Sequence, residues 1–401
     1  MNFLFLLAAG LTLADLESRL LRNSPQYLQA GAAVAMAEGK AQQAGLYPNP
    51  TIGATGEHVA KSTRGGSVGG FVEQRIVMGG KRGIDRALAE TELAQARALR
   101  DAWALRLRGQ LKTKYYAVAT AAERVALRRK LSANAEESLK IARELQNIGL
   151  LDTPDIRAAE VEFQRAEVRV EQALQMERRA WQELAALLNE SSLVGHTLDV
   201  MIDDFPQLDR ALLWERARGQ SPEIASAILE KAQADAALRQ ARAARIPDLQ
   251  LRGGLRNNRE DGDVPRGRPV GVEGIFDVGI EIPIFNRQQG NIRAARAGVE
   301  RARLAPVQVE RDLQARFAGA WQRYESAQTA VVRYRDAVLP SARGAFELYR
   351  KNFRAMQSDY QRVLTSQRTY FDLQDEYLDA LRDGWQAVAE LESLLLARGE
   401  D

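Results

Sequence analysis

The chain has no cysteine among its 401 residues. It can therefore hold no disulfide, no thiolate metal site and no lipid-bearing cysteine within this stretch. Its two histidines, His58 and His196, stand apart without companions at ligand spacing, and its six methionines are scattered. No metal ligand and no cofactor-binding residue is expected from such a set. Aromatic residues make up only 6%, fewer than a compact enzyme of this length usually packs into its core. No nucleophile elbow, phosphate loop, histidine pair or zinc motif occurs, so no catalytic residue is expected and the chain reads as no enzyme. No run of about 20 apolar residues exists, so no helix is expected to span a bilayer. Charge of one sign is missing too: the net charge is +3 and the signs alternate along the chain. That pattern suits solvated faces and argues against a nucleic-acid groove.

What is present is alanine, arginine, leucine, glutamate and glutamine, the composition of long packed helices. The order of residues is duplicated. Ser24-Pro25 leads to Pro50 as Ser221-Pro222 leads to Pro247, and Gly83, Arg86 and Ala87 are answered by Gly290, Arg293 and Ala294. A unit of about 200 residues is too long for a solenoid repeat and reads as a duplicated half-protein. The first half spans 12–189, a loop-rich connector 190–208, and the second half 209–397. Residues 1–11 read either as a truncated signal remnant or as the start of the first helix.

Each half follows one plan. Helices are expected over 12–45 and 209–245. Period-two runs follow, predicting strands over about 51–60 and 69–78, then 248–257 and 271–284. Long proline-poor stretches predict helices over 82–146 and 288–353, the first about 100 Å long at 1.5 Å per residue. In the second, Phe317, Tyr324, Val331 and Val338 recur every seven residues, with Ala320, Ala327 and Tyr334 beside them. That is a coiled-coil seam, which Pro306 and Pro340 should bend without ending. Gly149 ends the first long helix, Pro154 opens the next, and a turn near 355–358 opens the last.

The strands carry the functional argument. Leu249, Leu251 and Leu255 alternate with Gln250, Arg252 and Arg256; Val278, Ile280, Ile282 and Ile284 alternate with Asp277, Gly279 and Glu281. One greasy and one charged face, with no second layer nearby in sequence, fit a barrel wall between lipid and a water-filled lumen. Four strands cannot close a barrel, and open edges are not tolerated in lipid. Two, three or four copies would give 8, 12 or 16 strands.

The motifs Tyr47-Pro48-Asn49-Pro50, Glu73 to Arg82 ending in Gly79-Gly80-Lys81-Arg82, Gly149 to Asp155, Arg245-Ile246-Pro247-Asp248, Ile282 to Ile292 and Val363-Leu364 keep a fixed order. In that order they resemble the outer membrane efflux duct family typified by TolC, and within it the CzcC-like heavy-metal branch. The resemblance implies a mainly α fold with a small β part, a homotrimer with a 12-stranded barrel in outer membrane lipid, and a helical tunnel in the periplasm of a Gram-negative bacterium. It implies a periplasmic adaptor and an inner-membrane resistance-nodulation-division pump as partners. The function implied is a passive exit duct, for heavy-metal cations in that branch; drug-efflux and type I secretion ducts share the fold.

The resemblance also places a gate and adaptor contact at the two helix turns. Asp155 stands at the family's acidic tip position; at the second turn Arg362 and Thr365 replace acids, and the nearest acid is Asp359. Salt links among Asp152, Asp155, Arg354, Asp359 and Arg362 are expected there, with Ser358 in the same turn. In the barrel Arg252, Arg256, Glu273, Asp277 and Glu281 are expected to face the lumen, and Phe71, Phe276 and Phe285 to join an aromatic girdle or pack at its foot. The rivals are a soluble coiled-coil scaffold, which leaves the matched strand pairs unexplained, and a pump adaptor, which the duplication disfavours.

Overall fold

The structure is a computed structural model and describes residues 10–57, 66–149, 151–261, 269–355, 357 and 359–393. Along the chain run α1 (Leu13–Asn23), α2 (Pro25–Ala44), β1 (Thr51–Glu57), β2 (Ser67–Ile76), α3 (Lys81–Asn147) and α4 (Thr153–Leu188). After a short 3-10 turn come α5 (Arg210–Gln220), α6 (Pro222–Ala243), β3 (Leu249–Asp261), β4 (Pro269–Ile280), α7 (Gln289–Arg333), α8 (Leu339–Arg354) and α9 (Tyr360–Ser393). The described residues fall into two compact units, each drawing on both sequence halves. One comprises Met1–Ala30, Arg100–Glu223 and Glu310–Asp401; the other comprises Gly31–Leu99 and Ile224–Val309.

The helices expected over 12–45 and 209–245 are each two helices. Ser24 and Ser221 stand between them with extended ψ values of 117° and 119°. The reason is the proline that follows: its ring crowds the preceding residue out of the helical region. Thr12 caps α1, accepting from the Asp15 amide while Asp15 accepts from the Thr12 amide at 3.3 Å.

The helical unit buries several apolar clusters along its helices. Leu16 and Leu20 of α1 meet Leu107, Leu111, Tyr115 and Val118 of α3 and Trp181, Leu184 and Leu188 of α4. Phe317, Ala320 and Tyr324 of α7 meet Trp385, Val388 and Leu391 of α9. The connector is strapped to these helices by aromatic polar groups. The Tyr324 hydroxyl donates to Pro206 O and accepts from Leu208 N, both at 2.8 Å, and Trp385 Nε1 donates to Ile202 O at 2.9 Å. Each satisfies a backbone group that would otherwise be buried alone.

The expected heptad seam holds through Val331 and then slips. Val338 is only half-buried, and the next large buried side chain on that run is Phe346. Between them Tyr334–Val338 form a π turn in which Leu339 N donates to Tyr334 O, five residues back. Pro340 follows at once. Its ring would collide with the carbonyl four residues earlier, and the widened turn relieves that crowding while shifting the helix phase.

Among the described residues the other unit contains one antiparallel sheet of order β1-β2-β3-β4. Residues 58–60 of the first expected strand lie outside the described residues. β4 ends at Ile280 rather than 284, because its partner β3 begins at Leu249, opposite Ile280.

Candidate functional site: a two-faced sheet and a pair of helix turns

The register sorts the sheet into rows. Ile52, Val72, Gly253 and Phe276 share one row, and Gly56, Val68, Asn257 and Val272 another. With Leu255, Val278, Ile280 and Ile76 they form an apolar face left open: Ile52 is 81% exposed, Phe276 74% and Val272 73%. The alternating rows carry the charges. Thr51, Glu73, Arg252 and Asp277 lie in one, and Thr55, Gly69, Arg256 and Glu273 in the next. Arg256 donates to Glu273 Oε2 at 2.8 Å and to Glu57 Oε2 at 3.1 Å, and Asn258 reaches the same Glu273 oxygen at 3.3 Å.

Four of the five expected lumen residues therefore lie on the polar face. Glu281 does not: it follows the end of β4 and belongs to no strand. The aromatic girdle is not assembled as expected. Phe71 lies on the polar face, where the Arg252 guanidinium sits 3.5 Å from its ring centre. Gly53 beneath it has no room for a side chain, since a Cβ there would come within 2.4 Å of the ring. Phe285 is 90% exposed beyond the sheet, and only Phe276 sits on the open apolar face.

Where the sheet meets its helices, the sequence motifs come together around one carboxylate. Asp248, just before β3, accepts from Lys81 Nζ at 2.7 Å, Arg75 Nη2 at 2.6 Å and the Met78 amide at 3.1 Å. Burial pushes its carboxyl up, but these donors outweigh that and hold its pKa at about 2. Gly79, at φ 69°, lies against Ile246, and the Arg82 guanidinium lies 3.2 Å from the Tyr47 ring centre. In the sequence these motifs stand as signatures that single out no role for Asp248; the one signal there is an acid and a lysine in two motifs of opposite halves.

The two helix turns lie in the helical unit. Gly149, at φ 74°, closes α3, and its N–H donates to Gln146 O at 2.8 Å. Ile156 and Ala159 of α4 pack with Leu139 and Ala142 of α3 and with Tyr360 and Leu364 of α9, flanked by Leu151 and Phe353. The turns are thus brought together by apolar packing. Asp359 and Arg362 do pair, at 3.3 Å, and Asp359 caps α9 by accepting from the Arg362 amide at 2.8 Å. Asp152 stands at the α4 N-cap without a side-chain bond, and neither it nor Asp155 forms an ion pair among the described residues. Ser358 and the Arg354 side chain lie outside the described residues. The Tyr360 hydroxyl is buried with no hydrogen-bond partner among those residues. Burial first, then the Glu162 and Asp155 charges, push its pKa up to about 12.

Among the described residues no helix is long and apolar enough to cross a membrane, and no group of three or more acidic or histidine side chains is placed to hold a metal ion. A sheet bare and apolar on one face, charged on the other and unpaired at both edges, in a chain of very long helices, defines a membrane channel subunit whose strands form the wall.

The comparisons agree. The family model described as outer membrane efflux protein matches residues 16–190 and 213–395. The cobalt-zinc-cadmium resistance protein CzcC of Cupriavidus metallidurans is 27% identical over 362 residues, covering 89% of this chain and 83% of that protein. A membrane protein from Pseudomonas aeruginosa superposes with a TM-score of 0.80 at 19% identity, covering 96% of this chain and 90% of that one. The channel protein CusC superposes with a TM-score of 0.79 at 18% identity, covering 96% and 92%. The chain belongs to the outer membrane efflux protein family, with the TolC-like fold and an outer membrane location.

Proposed function

We propose that this chain is the exit duct of a tripartite resistance-nodulation-division efflux system and that its cargo is heavy-metal cations. Three copies join their sheets into a barrel of 12 strands, and their helices continue it as a water-filled tunnel toward a periplasmic adaptor and an inner-membrane pump. The observation that carries this reading is the open apolar sheet face backed by a charged face. Such a sheet is stable only in lipid, and there its two edges must be covered by further strands. The duct is passive: the energy comes from the pump, and the wall supplies a hydrated path.

Resemblance to a cobalt-zinc-cadmium resistance protein supports the choice of cargo. The gate and adaptor contact belong to the two helix turns, with Asp152 and Asp155 as open carboxylates, Asp359 and Arg362 as a capping pair, and Arg354 and Ser358 beside them. Deleting the gene tests the reading. Sensitivity to Co²⁺, Zn²⁺, Cd²⁺ and Ni²⁺ is expected to rise while a drug panel stays unchanged; a change confined to drugs would overturn the metal assignment.

A further inference from the structure

The polar rows of the sheet place their two arginines differently. Arg256 lies between carboxylates, donating to Glu273 and Glu57. Arg252 stands directly opposite Glu73 on one side and Asp277 on the other. Side chains so opposed start about 4.5–5.5 Å apart at Cβ, well within an arginine's reach. Yet among the described residues Arg252 forms an ion pair with neither. Its guanidinium lies 3.5 Å from the centre of the Phe71 ring, and its Nε is buried without a hydrogen-bond partner among those residues.

The backbone around Phe71 explains this placement. Phe71 stands opposite Gly53 on β1 and Gly254 on β3. Its ring folds over Gly53, where a Cβ would come within 2.4 Å of it, and a Cβ at Gly254 would come within 3.0 Å of the Phe71 Cβ. The ring therefore lies on the β1 side of β2. An arginine drawn onto it leans across β2, away from Asp277 on β4. An aromatic ring laid over a strand glycine restores the cover that the glycine lacks, and its face attracts a cation. Glu73 and Asp277 have no second cation in their row, whose fourth member is Thr51. Neither β1 nor β4 carries a lysine or arginine. The two carboxylates form no ion pair among the described residues. Their row lies at the end of the sheet that leads into α3, with Glu73 three residues before the end of β2 at Ile76.

Resting on the duct proposed above, we propose that Phe71 and Arg252 set the ion preference of the lumen at this end of the barrel. Phe71 is a positioning residue: it holds the arginine off Glu73 and Asp277, so that their carboxylates face the passage without a bound counter-charge and favour cations. The polar rows from Thr51 to Glu57 are acidic in sum, with Glu57, Glu73, Glu273 and Asp277 against Arg252 and Arg256. Rings of charged side chains select ions by sign, and at 0.1 M salt a wall charge acts over about 10 Å.

Reversal potentials in a KCl gradient across planar bilayers, with the full-length protein at about 0.1 M salt, test this. Wild type should prefer potassium over chloride. Phe71→Leu keeps an apolar cover over Gly53 but offers no ring face. It should shift the reversal potential toward weaker cation preference although no charge has changed. Glu73→Gln with Asp277→Asn should shift it further in the same direction. Arg252→Gln should shift it the other way, and in that background Phe71→Leu should add nothing, since no arginine is left to release. A role in packing alone would give Phe71→Leu the same effect with or without the arginine. A wild type that prefers chloride, a wild-type reversal potential in Phe71→Leu channels, or an undiminished Phe71→Leu effect beside Arg252→Gln overturns the proposal. Should Phe71→Leu not reach the membrane, Arg252→Gln alone decides: stronger cation preference supports the proposal and an unchanged reversal potential overturns it. If the wild type conducts no ions, the duct reading itself falls, and this one with it.

Discussion

The sheet and the helix turns solve opposite problems with the same kinds of residue. In the sheet, charges are knitted together and apolar side chains are left open: Arg256 bridges Glu57 and Glu273, Asp248 gathers Arg75 and Lys81, while Ile52 and Phe276 face outward. In the turns, apolar side chains are hidden and carboxylates are left open: Ile156, Tyr360 and Leu364 close a small core beside Asp152 and Asp155, which form no ion pair among the described residues. Exposed apolar surface is costly in water and favourable in lipid; exposed carboxylates are the reverse. The contrast marks which region each solvent covers.

That contrast can be broken from the sheet side first. Phe276→Asp puts a charge on the open apolar face and should cost about 2–4 kcal/mol or less, depending on depth in the bilayer. The expected result is a fall in the fraction recovered in outer membranes, while Thr55→Asp on the polar face leaves recovery nearly unchanged. Equal recovery of the two variants would remove the distinction between the faces.

A smaller effect is expected at the Asp248 knot. Asp248→Asn removes the negative charge and one of the two acceptor oxygens that Arg75 and Lys81 use, and should cost about 1–3 kcal/mol, read as a lower melting temperature of purified protein. The pH dependence has a definite sign. The folded-state pKa of Asp248 lies below its ordinary value, at about 2. Its stabilisation is thus fully present above the unfolded carboxyl pKa, near 4, and is lost as pH falls from there toward 2. Wild type should lose stability over that acid window more steeply than Asp248→Asn does.

The smallest effect on stability is expected in the turns. Asp152→Asn and Asp155→Asn remove carboxylates that hold no ion pair among the described residues and should shift the melting temperature by an amount equivalent to about 0.5 kcal/mol or less. Divalent-cation block of single-channel conductance should nevertheless weaken if these carboxylates line the gate. A large loss of stability from either variant would show that they act as structural links after all.

Much of this was legible beforehand, and the reasons it failed in places are local. Period-two alternation gave the strands because side chains on a strand must face one side or the other. It overran at Glu281 because pairing, not pattern, ends a strand. For Phe71 the sequence leaves girdle and packing open because aromatic character alone does not give a face; its register opposite Gly53 and Gly254 does. Of the expected turn links Asp359–Arg362 is present, while the packing that joins the turns runs through Leu139, Ile156 and Tyr360, residues up to 221 positions apart in sequence.

By itself the sequence determined the alternation of helices and strands, the two-faced character of the strands and the duplicated plan, because each is written in neighbouring residues and follows from local geometry. The tertiary structure alone decided which rows face together, which carboxylate gathers the lysine and arginine of the other half, and which acids stay open. Those depend on register between segments far apart in the chain, and no local pattern carries that information.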